Sequence, residues 1–230
     1  MELIEGLTTP PAPHAELQFG TVENAQPTTE DNMRLLAEKL GPIAYMRQVH
    51  GDNIRYAAKP GIYEEADALF TDRQDLWLAV STADCLPLLI SSPDAVAAIH
   101  AGWRGLRQGI VEKTVQKLRD EFAMDIGSLF MSVGPCIRQK NYEVSDDFTA
   151  YFDEKFFRPS ERKGHLMLDL PAVARQQAVR AGMLEMNIYD SDVDTYADKR
   201  FFSYRRCKKE GQDVNVQPSL IRRKQQRPVI

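Results

Sequence analysis

Residues 96–122 read VAAIHAGWRGLRQGIVEKTVQKLRDEF, and two periods meet in them. Val96–His100 is a short apolar run without alternation, the pattern of a strand buried on both faces. From Arg104 to Phe122 the period changes. Leu106, Ile110, Thr114, Leu118 and Phe122 recur every fourth residue, with Val111 and Val115 beside them and Arg, Lys, Gln and Glu elsewhere. This predicts an amphipathic helix with one buried stripe. A strand that opens through a Gly-containing turn into a helix is a unit of a mixed α/β fold.

The flanking sequence extends the pattern in both directions. Upstream, Thr29–Leu40 reads as a helix, with Glu30 and Asp31 at its positive end and Gly41-Pro42 stopping it. Strand-like runs follow at Ile43–Gln48, Asn53–Ala57, Leu76–Ser81 and Leu86–Ile90. Downstream, Leu129–Val133 predicts a strand ending at Gly134-Pro135. Ser145 is placed to cap a helix carrying Phe148, Phe152 and Phe156, and a further helix is expected from Pro171 to Gly182. Glu185–Tyr189 and Phe201–Arg205 read as late strands. Residues 1–28 are rich in Pro and Thr and read as irregular apart from a short strand at Ala15–Gly20; 218–230 reads as a basic tail. Helices and strands alternate only in part. The expectation is therefore one α+β domain over 1–230, with a mixed β-sheet core flanked by helices.

The chain has 230 residues, 29 Lys plus Arg and 33 Asp plus Glu, for a net charge of −4. That balance argues against nucleic acid or an anionic membrane as partner and leaves room for a small anionic substrate in a local basic pocket. No run approaches the roughly twenty apolar residues a membrane helix needs, and residues 1–17 lack a signal-peptide pattern, so the cytoplasm is the expected compartment. Three widely separated cysteines, Cys85, Cys136 and Cys207, do not make a disulfide framework.

Two of the four histidines, His50 and His100, stand at the ends of strand-like runs beside Gly-containing turns. Cys85 lies in Thr82-Ala-Asp-Cys-Leu-Pro87, between two apolar runs. One thiolate and two imidazoles form a three-ligand set, the pattern of catalytic zinc with a fourth position left open; sulfur with nitrogen suits zinc first and copper second. Such a metal lowers the pKa of its bound water to roughly 7, which suits attack on an electron-poor ring carbon. The same residues also read as two core histidines and a structural cysteine. Beside them, His100-Ala-Gly-Trp-Arg-Gly105 leads into a helix, so Arg104 and the helix start read either as a phosphate seat or as a solvent-facing turn. Trp103 reads as pocket wall or core. Asp67 and Glu143 are acid–base candidates or solvated acids, and Asp84 either orients a ligand or caps a turn. Cys136 reads as a reactive thiol or as a buried structural cysteine. Arg205, in Phe201-Phe-Ser-Tyr-Arg-Arg206, reaches the pocket or faces water.

Six blocks occur in order: Gln48-Val-His-Gly51, Ala66-Asp-Ala68, Thr82-Ala-Asp-Cys-Leu-Pro87, His100-Ala-Gly-Trp-Arg-Gly-Leu106, Gly134-Pro-Cys-Ile137 with Tyr142-Glu-Val144, and Phe201-Phe-Ser-Tyr-Arg-Arg206. Together they resemble the laccase-domain family, also called multicopper polyphenol oxidase or purine nucleoside phosphorylase, over roughly residues 30–210. The resemblance implies a metal, usually zinc, on His50, Cys85 and His100, and a fold like that of a toxin-deamidase-like cysteine hydrolase. It also implies phosphorolysis of adenosine, inosine and methylthioadenosine, with phosphate as co-substrate, and adenosine deamination. On that basis Cys85, His100 and Asp67 are the catalytic candidates, and Gln48, Arg104 and Arg205 the substrate or phosphate contacts. The expected partner is a small-molecule nucleoside, and the expected state a monomer. The alternative is a cysteine hydrolase or amidase acting on cell-wall precursors, with Cys85 as nucleophile and His100 as base. Laccase chemistry fits poorly: a blue plus trinuclear copper site needs about ten His ligands, and the chain has four. The family's early Thr-Arg-x-Gly-Gly segment has no counterpart, and its terminal Gly-Arg-Met-Ala block is replaced by Gly211-Gln-Asp-Val-Asn-Val-Gln217.

Overall fold

A computed structural model describes residues 12–22 and 29–224. The readings for 1–11, 23–28 and 225–230 lie outside them.

Two mixed sheets lie face to face, with helices on their outer sides. The first is ordered β1 (Ala15–Phe19), β14 (Gln217–Arg223), β6 (Trp77–Thr82), β2 (Ile43–Met46), β4 (Gly61–Tyr63). The second is ordered β13 (Ile188–Asp190), β9 (Phe130–Val133), β7 (Leu86–Ser91), β8 (Val96–Ala101), β5 (Ala68–Thr71), β3 (Ile54–Tyr56). Antiparallel and parallel pairs occur in both: β14 runs antiparallel to β6, and β2 parallel to it, while β7 and β8 are antiparallel and β5 and β3 parallel. A small antiparallel sheet, β10 (Glu143–Ser145), β12 (His165–Leu168), β11 (Phe157–Pro159), stands apart.

Strand alternation sorts the apolar side chains into three layers. Leu78, Val80, Leu89, Val96 and Ala98 meet between the two large sheets. On the opposite faces of the same strands, Trp77 and Ala79 pack against Met33 and Leu36 of α1 (Thr29–Leu40), while Leu88, Ile90, Ala97 and Ile99 pack against helices on the far side. Those helices are α2 (Trp103–Arg107), α3 (Ile110–Phe122) and α4 (Leu170–Arg180). Central strands thus bury both faces, which is why their sequences lack a polar side.

Four sequence readings are corrected. The helix expected over Arg104–Phe122 is split into α2 and α3 at Gly109, whose φ of +79° lies in the left-handed region that glycine adopts without strain. The Phe148/Phe152/Phe156 stretch forms no α-helix. It makes two short 3-10 turns, Asp146–Ala150 and Glu154–Phe156, and its aromatics still turn inward onto the core. Phe201–Arg205 is not a strand: Ser203 accepts from Arg206 N and starts α5 (Tyr204–Glu210). Finally, the stretch read as a basic tail from residue 218 enters the fold as β14, paired on both sides, with Ser219, Leu220 and Ile221 buried. Its arginines lie beyond that buried part: Arg222 binds Glu16, and Arg223 binds the carbonyls of Pro93 and Asp72.

Candidate functional site

The chain passes from the first large sheet to the second at three places: between β2 and β3, between β4 and β5, and between β6 and β7. Those crossings carry His50, Asp67 and Cys85 respectively. β8 brings His100 to the same place, because its backbone N–H donates to Asp67 O at 2.7 Å. The candidate ligand atoms of His50, Cys85 and His100 all lie within 4.8 Å of one another, and the two imidazoles meet edge to face at 4.7 Å between centroids. This is the one such cluster of three or more His, Cys, Asp or Glu groups among the described residues.

Asp67 builds the histidine half. It is wholly buried, and its carboxylate accepts from the backbone N–H groups of Val49 (3.3 Å), His50 (3.0 Å) and Gly51 (2.8 Å). His50 has φ +59°, an uncommon conformation for a residue other than glycine, and these bonds hold the turn that requires it. The same carboxylate lies 2.8 Å from His100 Nδ1, which fixes that nitrogen as N–H and leaves Nε2 for the cluster. Burial alone would raise the Asp67 pKa; the His100 bond and charge and the amides of Gly51 and Val49 outweigh it and hold the acid below its ordinary value. The sequence reading made Asp67 a catalytic acid or base. The structure encloses it, with its oxygens engaged by His100 and the 49–51 backbone.

Asp84 builds the cysteine half. Its φ is +85°, so the backbone is strained immediately before Cys85. Its buried carboxylate accepts from Thr195 Oγ1 (2.6 Å), Ser203 Oγ (3.0 Å) and Arg205 N (2.7 Å), while its carbonyl accepts from Ile137 N. Four donors from three chain segments therefore clamp the turn that aims the thiol. Gly102 lets the β8–α2 turn approach: a Cβ there would sit 3.1 Å from Cys85 Sγ and 3.4 Å from His50 Cδ2.

The two halves meet electrostatically. Burial would raise the Cys85 pKa, but His100, then His50, stabilise the thiolate and bring it down to about 6. Burial would lower His100, but the Cys85 charge and the Asp67 bond lift it to about 9. Without a bound cation the pair is thus thiolate–imidazolium near neutral pH. Cys136, more deeply buried and without a cationic imidazole beside it, is pushed the other way and is an inert structural thiol.

The remaining sequence candidates divide. Gln48 turns its amide onto the backbone of Ser81, donating to the carbonyl at 2.8 Å and accepting from the N–H at 2.9 Å; both ends are taken, so it pins the loop before His50. Glu143 directs its carboxylate to Ser160 and Arg162, while its carbonyl accepts from Arg205. Arg205 lies 5.3 Å over the Tyr142 ring. Arg104 is exposed, stacks 4.6 Å over Trp103, and borders a cavity of about 390 Å³ with Arg107 and Gln108. α2 has only five residues, so the helix-dipole part of the expected phosphate seat is weak, and the guanidinium groups carry the positive charge there. Trp103 stacks on Tyr151 and Phe148, a pocket wall continuous with the core.

Three contributors escaped sequence reasoning. Thr195 and Ser203 act only through Asp84, across 111 and 119 residues, and leave no local signal. Tyr142 is legible only as part of its Tyr-Glu-Val block. Its phenol is kept protonated by burial first and then by the nearby Cys85 charge.

The arrangement defines an α+β protein with a soft His-Cys-His donor set at the rim between two sheets. The chain belongs to the family described as multi-copper polyphenol oxidoreductase laccase, whose model matches residues 4–217. A purine nucleoside phosphorylase of Xylella fastidiosa is 34% identical over 209 residues, covering 84% of this chain and 79% of that one. Purine nucleoside phosphorylase YfiH of Shigella flexneri is 32% identical over 214 residues, covering 90% and 87%. Among solved structures, YlmD from Geobacillus stearothermophilus superposes with a TM-score of 0.83 at 25% identity and 94% coverage of both chains. No helix among the described residues is long and apolar enough to cross a membrane.

Proposed function

We propose that this chain is a zinc-dependent purine nucleoside phosphorylase, acting on adenosine, inosine and methylthioadenosine with inorganic phosphate, and that it also deaminates adenosine. The observation that carries the reading is the convergence of one thiolate and two imidazoles within 4.8 Å, beside a basic ledge. The names of the relatives support the nucleoside class.

The donor set fits zinc. A tetrahedral ion with Zn–S of about 2.3 Å and Zn–N of about 2.0–2.1 Å needs ligand atoms roughly 3.5 Å apart, inside the observed bound. Copper is the second choice on the same donors. When bound, zinc supplies Lewis-acid polarisation and a water of lowered pKa. The chain's own residues do the rest. Asp67 keeps His100 in the tautomer that presents Nε2. Arg104 and Arg107, which make no ion pair among the described residues, border the cavity where phosphate is held. In phosphorolysis a phosphate oxygen forms a bond to ribose C1′ as the C1′–N9 bond breaks, and the base leaves with one proton gained. Tyr142, held protonated and within electrostatic reach of Cys85 and Arg104, is the candidate donor; Asp67 and Glu143, both engaged elsewhere, are set aside.

The test is metal analysis of the purified chain, then adenosine with and without phosphate, products separated. Equimolar zinc and phosphate-dependent release of adenine are expected. Neither adenine nor inosine from a zinc-loaded chain overturns the reading.

One observation favours a second reading. Cys85, His100 and Asp67 line up as thiolate, imidazole and orienting carboxylate, as a cysteine hydrolase of cell-wall precursors requires. Metal-free protein that hydrolyses amides and loses this on Cys85 alkylation selects it.

A further inference from the structure

A second cleft, about 730 Å³, opens between α4, β11 and the turn at residues 138–140. None of His50, Cys85, His100, Arg104 or Arg205 lines it. Its size lies within the range of small-molecule sites.

Six cationic side chains face this space against four acidic ones, in a chain whose net charge is −4. The acids are largely engaged. Asp169 caps α4 through Ala172 N at 3.0 Å, and Asp190 grips Arg138 through both guanidinium ends at 2.8 and 2.6 Å. Arg158 and Arg180 are exposed and make no hydrogen bond or ion pair among the described residues; Lys140 has only a 3.8 Å approach to Asp194. A concave surface with surplus charge of one sign concentrates counter-ions far better than a flat one.

The frame is rigid and partly apolar. Arg138 is further fixed by Val193 O, and Gln139 Nε2 donates to the carbonyls of Phe156 and Met167. Phe156, Pro171, Ala172 and Val179 form the apolar wall. A few cations over a preformed wall suit a ligand with one compact anionic end and one flat or apolar body.

We propose that this cleft binds a small phosphorylated metabolite of nucleotide size, its phosphate taken by Arg158 and Arg180 and its body laid along the Phe156–Val179 wall. The assignment stands independently of the nucleoside reading of the His-Cys-His site.

Calorimetric titration of the full, metal-loaded chain with AMP tests it. Saturable binding with a Kd below about 1 mM is expected. A chain carrying both Arg158→Glu and Arg180→Glu should bind about tenfold more weakly or not at all, because two charge-assisted contacts are lost. It should keep its metal and its phosphate-dependent activity. Cys85→Ser should leave AMP affinity unchanged. Three outcomes overturn the proposal: no saturable AMP binding, AMP affinity lost in Cys85→Ser but kept in the double variant, or the same weakening from Arg34→Glu on the remote face of α1.

Discussion

Asp67 accepts hydrogen bonds from three consecutive backbone amides and one imidazole; Asp84, on the other side of the same site, accepts from two hydroxyls and the first turn of a helix. Both are buried carboxylates, and both sit beside a backbone with positive φ, at His50 and at Asp84 itself. The histidine half is held by charge: an acid facing an imidazole whose proton it stabilises. The cysteine half is held by uncharged donors on remote segments, which fix geometry and leave the electrostatics of Cys85 to His100 and His50. Both acids place their half of the site, and only Asp67 also tunes its charge.

Breaking the histidine half has the larger effect. Asp67→Ala strands three amides and the His100 N–H in a dry site, and should cost about 3–5 kcal/mol in urea unfolding, the scale for removing one member of a buried charged pair. The milder Asp67→Asn should lower metal affinity roughly 10–100-fold in chelator competition, since the imidazole loses its orienting carboxylate. Retention of native affinity in that variant would refute the division of labour.

Asp84→Asn is expected to cost less, about 1–3 kcal/mol, because asparagine tolerates the positive φ and still accepts with one oxygen. Thr195→Val, which removes a single partner of that carboxylate, should cost about 1 kcal/mol in the same unfolding assay. Gly102→Ala changes no hydrogen bond but forces Cys85 Sγ back by a few tenths of an ångström, so activity should fall several-fold while the melting temperature changes little.

The finest discrimination is by pH. In metal-free protein, alkylation of Cys85 should rise through a midpoint near 6, not near the ordinary thiol value of 9, because the reactive thiolate appears once pH exceeds the lowered pKa. Asp67→Asn weakens the His100 cation, so it should move that midpoint upward; Asp84→Asn should leave it in place. Between about pH 6 and 9 this pair holds one proton, on His100, so metal uptake near pH 7.5 should release about one proton from it. An Asp84→Asn midpoint that shifts as far as that of Asp67→Asn would remove the distinction between the two halves.

Much of the secondary structure was legible. The predicted bounds of α1 hold, and the doubly buried strands were readable from their unbroken apolar runs. Misreadings fell where a local cue had two outcomes. Ser145 has the chemistry of a helix cap, yet the three phenylalanines that follow find their burial from 3-10 turns. Phe201–Arg205 has strand-forming aromatics, yet Ser203 and Asp84 together turn it into a helix start. Arg222 and Arg223 looked like part of a solvated tail, because the pairing of β14 with β1 and β6, both far away in the chain, leaves no trace in neighbouring residues.

Alone, the sequence determined the class of the fold and, with the family resemblance, singled out the three candidate donor side chains. Periodicity is a short-range property of the backbone, and sulfur and imidazole announce their chemistry wherever they stand. Only the tertiary structure decided that Asp67 is enclosed, that Gln48 spends its amide on the Ser81 backbone, that Asp84 clamps the turn before Cys85, and that His100 is lifted toward its charged form. Those outcomes depend on desolvation and on hydrogen bonds spanning 33 to 121 residues, which exist only once the two sheets have closed on one another.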